Sequence, residues 1–530
     1  MPRPVSPAMN RAVLAVAGAL MLFSWPDSRA TTAAASERQG LGSAVPRDPQ
    51  PRTVRRRTET RARALLDARQ RGLDYVPGEV IIKFRNGFAT FTRQRALSAL
   101  RSRPSVNDLE WHGDVALLTD VTEPDAHLLA HQLRLQPEVE YAEPNYLIRI
   151  KPVGERVKID TAADAEPAAT PNDPFYTSHQ WNFSGLNMPR AWDINPGANS
   201  DIVVAIVDTG VTTVDQTFSF PYWNGSAIQT IPMVFTISPG MSPSRLTRPR
   251  DFVFGQTVLD LDGHGTHVAS TVAETTNDMM RTAGIAYNAQ IMPVKVCTAY
   301  WDEQIDRSRR NIPGRAPEDA AGCSTIDIAD GIEYAADQGA KVINISLGGP
   351  NPSNALREAI EFAVRRGVFV AIAMGNDFED GNPITYPAKY AELFNGAMSV
   401  AAVGRSLAIR AEYSGTGSHC EITAPGGDFS LDGPPGLIYQ TMLDEPAHDA
   451  IAPRFTSYPI IGIQGTSMAS PHVAGLAALI MSQRPGITPA QVEGLIRATA
   501  KDIGPPGKDD EFGYGLIQPR NALFGQGIRR

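Results

Sequence analysis

Cysteine is scarce in this chain: three in 530 residues, an odd number, so at least one thiol stays outside any internal bridge. Positive charge is in deficit as well. Lys and Arg number 49 against 57 Asp and Glu, and the net charge of −8 argues against a nucleic-acid partner. Beyond residue 30 no apolar stretch is long enough to cross a bilayer. No run of acids has the ligand spacing of an EF-hand loop. What remains is an ordinary globular composition, 42% hydrophobic, with room for more than one domain.

Three stretches carry chemistry. In Gly465-Thr466-Ser467-Met468-Ala469-Ser470-Pro471-His472, small residues and a hydroxyl precede a proline, and Val473, Ala474, Ala477, Ala478 and Met481 then recur at helical spacing. Proline is tolerated in a helix's first turn, where its missing N–H has no partner to lose. The spacing therefore predicts a helix starting within about one turn of Pro471. Ser467 then lies at its N-terminus, where free N–H groups favour developing negative charge. A serine there is a helix cap or a nucleophile, depending on whether a base lies elsewhere. The apolar run Ile202–Val207 reads as a buried parallel strand with Asp208 at its carboxyl end, where sites form in open α/β sheets. In Asp262-Gly263-His264-Gly265-Thr266-His267-Val268-Ala269, glycines on both sides of His264 let other backbone come close to the ring.

Asp208, His264 and Ser467 together supply orienter, base and nucleophile, in that chain order. On Val207–Gly210, His264–Ala269 and Gly465–His472 the sequence resembles the subtilase family of serine proteases, over about residues 172–525. The alternative nucleophile elbow G-x-S-x-G is not matched, because Ala469 replaces its last glycine. The resemblance implies an α/β, subtilisin-like three-layer fold with a mainly parallel sheet. It implies acyl transfer by Asp208, His264 and Ser467, with Asn376 of Ala373-Met374-Gly375-Asn376 as the oxyanion-hole donor. Ser346-Leu347-Gly348-Gly349 and Ala373–Gly375 would be substrate-binding edges that take an extended peptide as an added strand. Thr385, before Tyr386-Pro387-Ala388, would narrow the floor of the first specificity pocket. No cofactor enters such chemistry. Structural calcium is common in the family; Asp215, Asn277 and Asp278 are candidate ligands, with solvated acids the simpler reading.

The chain divides readily. Residues 1–30 have the basic start, short apolar run and small residues of a signal peptide, which makes the protein secreted. Residues 31–76 turn to Ala, Ser, Pro and arginine, the composition of a disordered leader. Residues 77–150 alternate strand-like and helical segments, a small α+β unit. Through Pro77–Ile82 and Tyr141–Tyr146 it resembles the N-terminal propeptide of subtilases, which implies a folding assistant and an inhibitor of its own enzyme. Residues 151–171 read as an exposed linker carrying the maturation site, and 172–530 as the peptidase domain. The implied partners are protein or peptide substrates and the propeptide itself, with the enzyme a monomer.

Two insertions, 216–258 and 298–322, are readable either as lids or as plain surface loops. In an exported chain Cys297 and Cys323, which bracket the second, form the candidate disulfide, with Cys420 left over. Two other readings compete. One is a catalytically inactive subtilase fold used for binding, against which all four site residues stand. The other is a processing protease cutting after basic residues, which needs acids around the first subsite; Ser346–Gly349 and Ala373–Gly375 contain none.

Overall fold

The structure is a computed structural model describing residues 64–65, 67–68, 71–86, 90–150, 153–159, 170–253, 258–317 and 322–524. The signal-peptide reading and the leader up to residue 63 lie outside the described residues. All described residues belong to one compact unit, Val54–Arg530.

Its centre is a seven-stranded sheet. From one edge the order is Ile422–Pro425, Ala397–Val403, Phe369–Ala373, Val342–Ile345, Val203–Asp208, Gln290–Lys295 and Arg250–Asp251. Every neighbouring pair is parallel. A strand covered on both faces must be apolar at every position, and Val203–Val207 shows why this run is continuous. Val204 and Ile206 face one core with the helices His264–Ala273 and Thr466–Gln483. Val203, Ala205 and Val207 face the other, with the helices Thr325–Asp337 and Asn354–Arg365. Each such buried Val or Ile contributes about 1.5–3 kcal/mol. The result is the expected three-layer α/β architecture.

Before it lies an antiparallel module. Strand Tyr75–Phe84 pairs with Val115–Thr119 on one side and with Val139–Ile148 on the other. Helices Thr90–Leu97 and Ala126–Arg134 close its core through Leu97, Leu129 and Leu133. The module begins earlier than residue 77. Leu65 and Ala68 are buried with Val76 and Leu147, so these residues are packed structure and not leader. The leader reading failed here because three apolar contacts among many arginines leave little periodic signal.

The module's sheet continues into the peptidase domain. Val139–Ile148 pairs antiparallel with Gly322–Ser324, which pairs in turn with Cys297–Thr298. Cys297 and Cys323 are disulfide-bonded, and Cys420 is buried and free. From the same strand Glu143 caps the Asn354–Arg365 helix. It accepts from the Asn354 and Ala355 N–H groups at 2.9 and 3.2 Å and from the Ser353 hydroxyl at 2.7 Å. A carboxylate there meets the free N–H groups and positive end of the helix dipole.

Two sequence readings change. Residues 153–159, expected in an exposed linker, form a strand along Ile460–Gln464, which belongs to a small sheet with Ile438–Thr441. The two insertions are not independent loops. Strands Gln216–Trp223 and Ile228–Phe235 from the first, and helix Tyr300–Arg309 from the second, share one core. Phe235 stacks on Phe455 there, and Trp301 is fully buried.

Candidate active site

Asp208 ends its strand completely buried, its Oδ1 accepting the Thr209 N–H at 2.7 Å. The same Oδ1 lies 2.7 Å from His264 Nδ1. His264 is the first residue of its helix, after Gly263 at φ +103°, a backbone conformation that glycine adopts without strain. Gly265 is equally required: a Cβ there would lie 2.2 Å from the Gly210 carbonyl, so only glycine lets this helix approach the turn after Asp208.

The loop before His264 is organised by Asp260, which the sequence reading passed over. Fully buried, it accepts from the Gly263, Asp262 and Thr266 N–H groups and from the Thr209 hydroxyl. It thereby locks the aspartate turn to the histidine loop. Burial raises its pKa. The adjacent Asp262 accepts the His264 N–H at 2.9 Å. Burial would lower the His264 pKa, but the Asp208 ion pair and hydrogen bond, followed by Asp262, raise it above the ordinary 6.5. Also unforeseen is Lys295, fully buried. It donates to the Thr209 and Leu259 carbonyls and pairs with Asp302 at 3.0 Å. Burial pushes the Asp302 carboxyl up to about 6.

Ser467 is the second residue of the Thr466–Gln483 helix. That helix starts five residues before Pro471, further than the proline rule allows. The missing Pro471 N–H leaves the Ser467 carbonyl without its i+4 donor. The Ser346 hydroxyl takes that place, donating to the Ser467 carbonyl at 2.9 Å. In return the Ser467 hydroxyl donates to the Ser346 carbonyl at 3.1 Å.

Asn376 follows the strand Phe369–Ala373. Its Oδ1 accepts from the Thr466 N–H at 2.9 Å and the Thr466 hydroxyl at 2.8 Å, which turns Nδ2 to the other side. A Cβ on Gly465 would lie 3.4 Å from Asn376 Nδ2 and 3.6 Å from Ser467 N. Those two donors therefore share one corner, which glycine keeps open.

Ser346, Leu347, Gly348, Gly349, Ala373, Gly375, Asn376 and Ser467 line one cavity of about 400 Å³, together with Arg149 and Ile150 of the preceding module. Thr385 is buried beneath it. A Cβ on Gly375 would meet Thr385 Oγ1 at 2.3 Å, and one on Gly348 would meet Thr385 Cγ2 at 2.5 Å, so Thr385 is wedged between the two glycine segments. Val139–Ile148 pairs with Cys323 and Ser324, whereas the Gly349 N–H and carbonyl are both taken by Tyr386. Gly349 instead touches Ile148 as a wall. Asp377 and Asp380 also line the cavity, acids that the two glycine segments do not contain.

The calcium candidates each accept a backbone N–H group. Asp215 accepts the Ile237 N–H, Asn277 that of Asn172, and Asp278 that of Met280. Among the described residues no group of three or more His, Cys, Asp or Glu side chains is placed to hold a metal ion.

Residues 199–515 match the model of the subtilase family, and residues 64–145 that of the fervidolysin N-terminal prodomain. The thermophilic serine proteinase of Bacillus sp. (strain AK1) is 31% identical over 454 residues, 85% of this chain and 88% of that protein. An extracellular protease of Xanthomonas campestris is 31% identical over 420 residues, 74% of this chain and 63% of that protein. The crystal structure of fervidolysin from Fervidobacterium pennivorans shares the fold. Its TM-score is 0.57 at 23% identity, covering 86% of this chain and 62% of that one.

Proposed function

The chain belongs to the subtilase family of serine proteases, and from that premise we propose a secreted endopeptidase, made as a self-processing precursor, in which Asp208, His264 and Ser467 form the catalytic triad. One observation carries this reading: the buried 2.7 Å contact between Asp208 Oδ1 and His264 Nδ1. Asp208 accepts a hydrogen bond from Nδ1–H, which fixes the tautomer and leaves Nε2 as the base. The Ser467 hydroxyl turns from the Ser346 carbonyl to Nε2, gives Nε2 its proton and attacks a peptide carbonyl. The tetrahedral oxyanion is held by Asn376 Nδ2 and the Ser467 N–H. His264 then protonates the leaving amine; water, deprotonated by His264, attacks the acyl group, and His264 returns the proton to the departing Ser467 oxygen. Ser346–Gly349 and Ala373–Gly375 wall the subsites, and Thr385 limits the depth of the first.

Secretion is supported by the character of residues 1–30 and by the extracellular relative. Self-processing is supported by the path of the chain: Ile150 shares the cavity with Ser467, and Val153 pairs with Gln464, three residues before it. The test is the secreted Ser467→Ala protein. It should resist labelling by a serine-directed phosphonate and keep the module of residues 64–150. A mutant that still begins near Pro171 in a protease-deficient host would assign maturation to another enzyme. A second reading, cleavage after basic residues, gains from Asp377 and Asp380 in the cavity wall. A peptide-library profile with no preference for Arg or Lys before the scissile bond would remove it.

A further inference from the structure

The strand Val153–Ile159 follows the bond that self-processing would cut, and it pairs with the strand Ile460–Gln464 that leads into Ser467. Its antiparallel register is Ile159 with Ile460, Lys158 with Ile461, Val157 with Gly462, and Val153 with Gln464. Gln464 leads directly through Gly465 and Thr466 to Ser467. The chain thus passes from Ile150 in the cavity to residues 153–159 on the edge that leads to the nucleophile.

The strand is held by two kinds of contact. Its alternate residues Val157 and Ile159 pack on Leu437, Tyr439 and Ile460. The intervening residues are cations that meet acids of the peptidase domain. Arg156 donates to the Asp262 carbonyl at 3.1 Å and to its carboxylate at 3.2 Å. Lys158 pairs with Asp444 at 2.5 Å. Glu445 adds a third negative charge facing Arg156 and Asp262. None of these contacts involves residues 64–150, so losing the module does not release the strand.

We propose that Val153–Ile159 is a second inhibitory strand, which stays on the leaving-group side of the site after the first cut and is removed only by a second hydrolysis within residues 160–170. This rests on the self-processing reading above. Until the second cut, the enzyme beginning near Val153 handles substrates whose leaving group is short and excludes those that extend along Ile460–Gln464. The edge selects strands that alternate apolar and basic residues, because its packing surface and its acids alternate in that way.

The experiment compares two substrates with the same acyl-side sequence. One is a peptide anilide; the other is an internally quenched peptide with six residues after the scissile bond. On moving from the form beginning near Val153 to the form beginning beyond residue 160, the ratio of kcat/KM for long over short substrate should rise at least tenfold, through KM. Arg156→Glu with Lys158→Glu should give the high ratio after the first cut alone. Equal ratios in the two wild-type forms overturn the proposal. A specific-protease site replacing Lys151 and Pro152 makes the first cut if the chain does not, so the ratio is read even if self-processing fails. Hydrogen exchange on the uncut Ser467→Ala chain is the second readout. Amides of 153–159 should be protected, and the double charge reversal should expose them. Equal exchange in both proteins also overturns the proposal.

Discussion

Ser346 and Ser467 exchange hydrogen bonds: each hydroxyl donates to the other's backbone carbonyl. The pair answers the defect that Pro471 introduces and fixes the first turn of the nucleophile's helix to the end of the strand Val342–Ile345. Ser346→Ala should leave the buried Ser467 carbonyl without a donor and cost about 1–3 kcal/mol. In a Pro471→Ala background, where an N–H at position 471 returns, the same substitution should cost distinctly less. Urea unfolding of the four proteins in a Ser467→Ala background gives the coupling. Additive effects would show that the Ser346 hydroxyl does not substitute for the missing donor.

The pH dependence of the enzyme follows from His264. The ring accepts a proton only when neutral, so activity rises as pH increases through its pKa. Burial lowers that pKa, but Asp208 and Asp262 raise it further, which puts the acid limb of kcat/KM above pH 6.5. Asp262→Asn removes one raising contribution and should move the limb to lower pH, with the alkaline plateau kept. A limb that stays in place would mean that Asp262 does not act on the imidazole.

Thr385 fills the space between Gly348 and Gly375. Thr385→Gly should deepen the first pocket and raise kcat/KM for aromatic residues over small ones by roughly tenfold, the scale of small changes in pocket volume. Peptide anilides differing only in the residue before the scissile bond measure it, and an unchanged profile would place Thr385 outside the pocket.

Glu143 is the module's carboxylate at the N-terminus of the Asn354–Arg365 helix. Burial raises its pKa, while the Asn354 and Ser353 hydrogen bonds counteract that shift. Because hydrogen bonds to a charged group are worth about 1.5–3 kcal/mol, Glu143→Ala should weaken inhibition by an isolated 64–150 fragment roughly 10- to 150-fold. Slow-binding inhibition kinetics, with circular dichroism to check that both fragments fold, give the comparison.

Much of the site was legible because its signals are local. A continuous apolar run ending in Asp208, glycines around His264, and small residues before an apolar periodic helix each follow from backbone sterics within a few residues. Their order along the chain was enough to give the family and its three-layer fold. Asn376 and the glycine segments were readable only through that resemblance, since each alone is an ordinary strand-end turn.

What the tertiary structure decided depends on partners far apart in sequence. The proline rule misplaced the helix start because the donor that rescues Pro471 is the Ser346 hydroxyl, 121 residues from the carbonyl it satisfies. Asp260 looked like any loop acid until its carboxylate joined the Thr209 hydroxyl to the donors of residues 262–266. The two insertions joined one core through aromatic residues whose spacing follows no period. Residues 153–159 carry a glycine and three charges, a weak strand signal taken alone. They become a strand because Ile460–Gln464 offers an open edge, with Asp262 and Asp444 beside it to meet their cations. Propensity and periodicity act between near neighbours; which edge a strand joins is set by surfaces that exist only once the chain has folded.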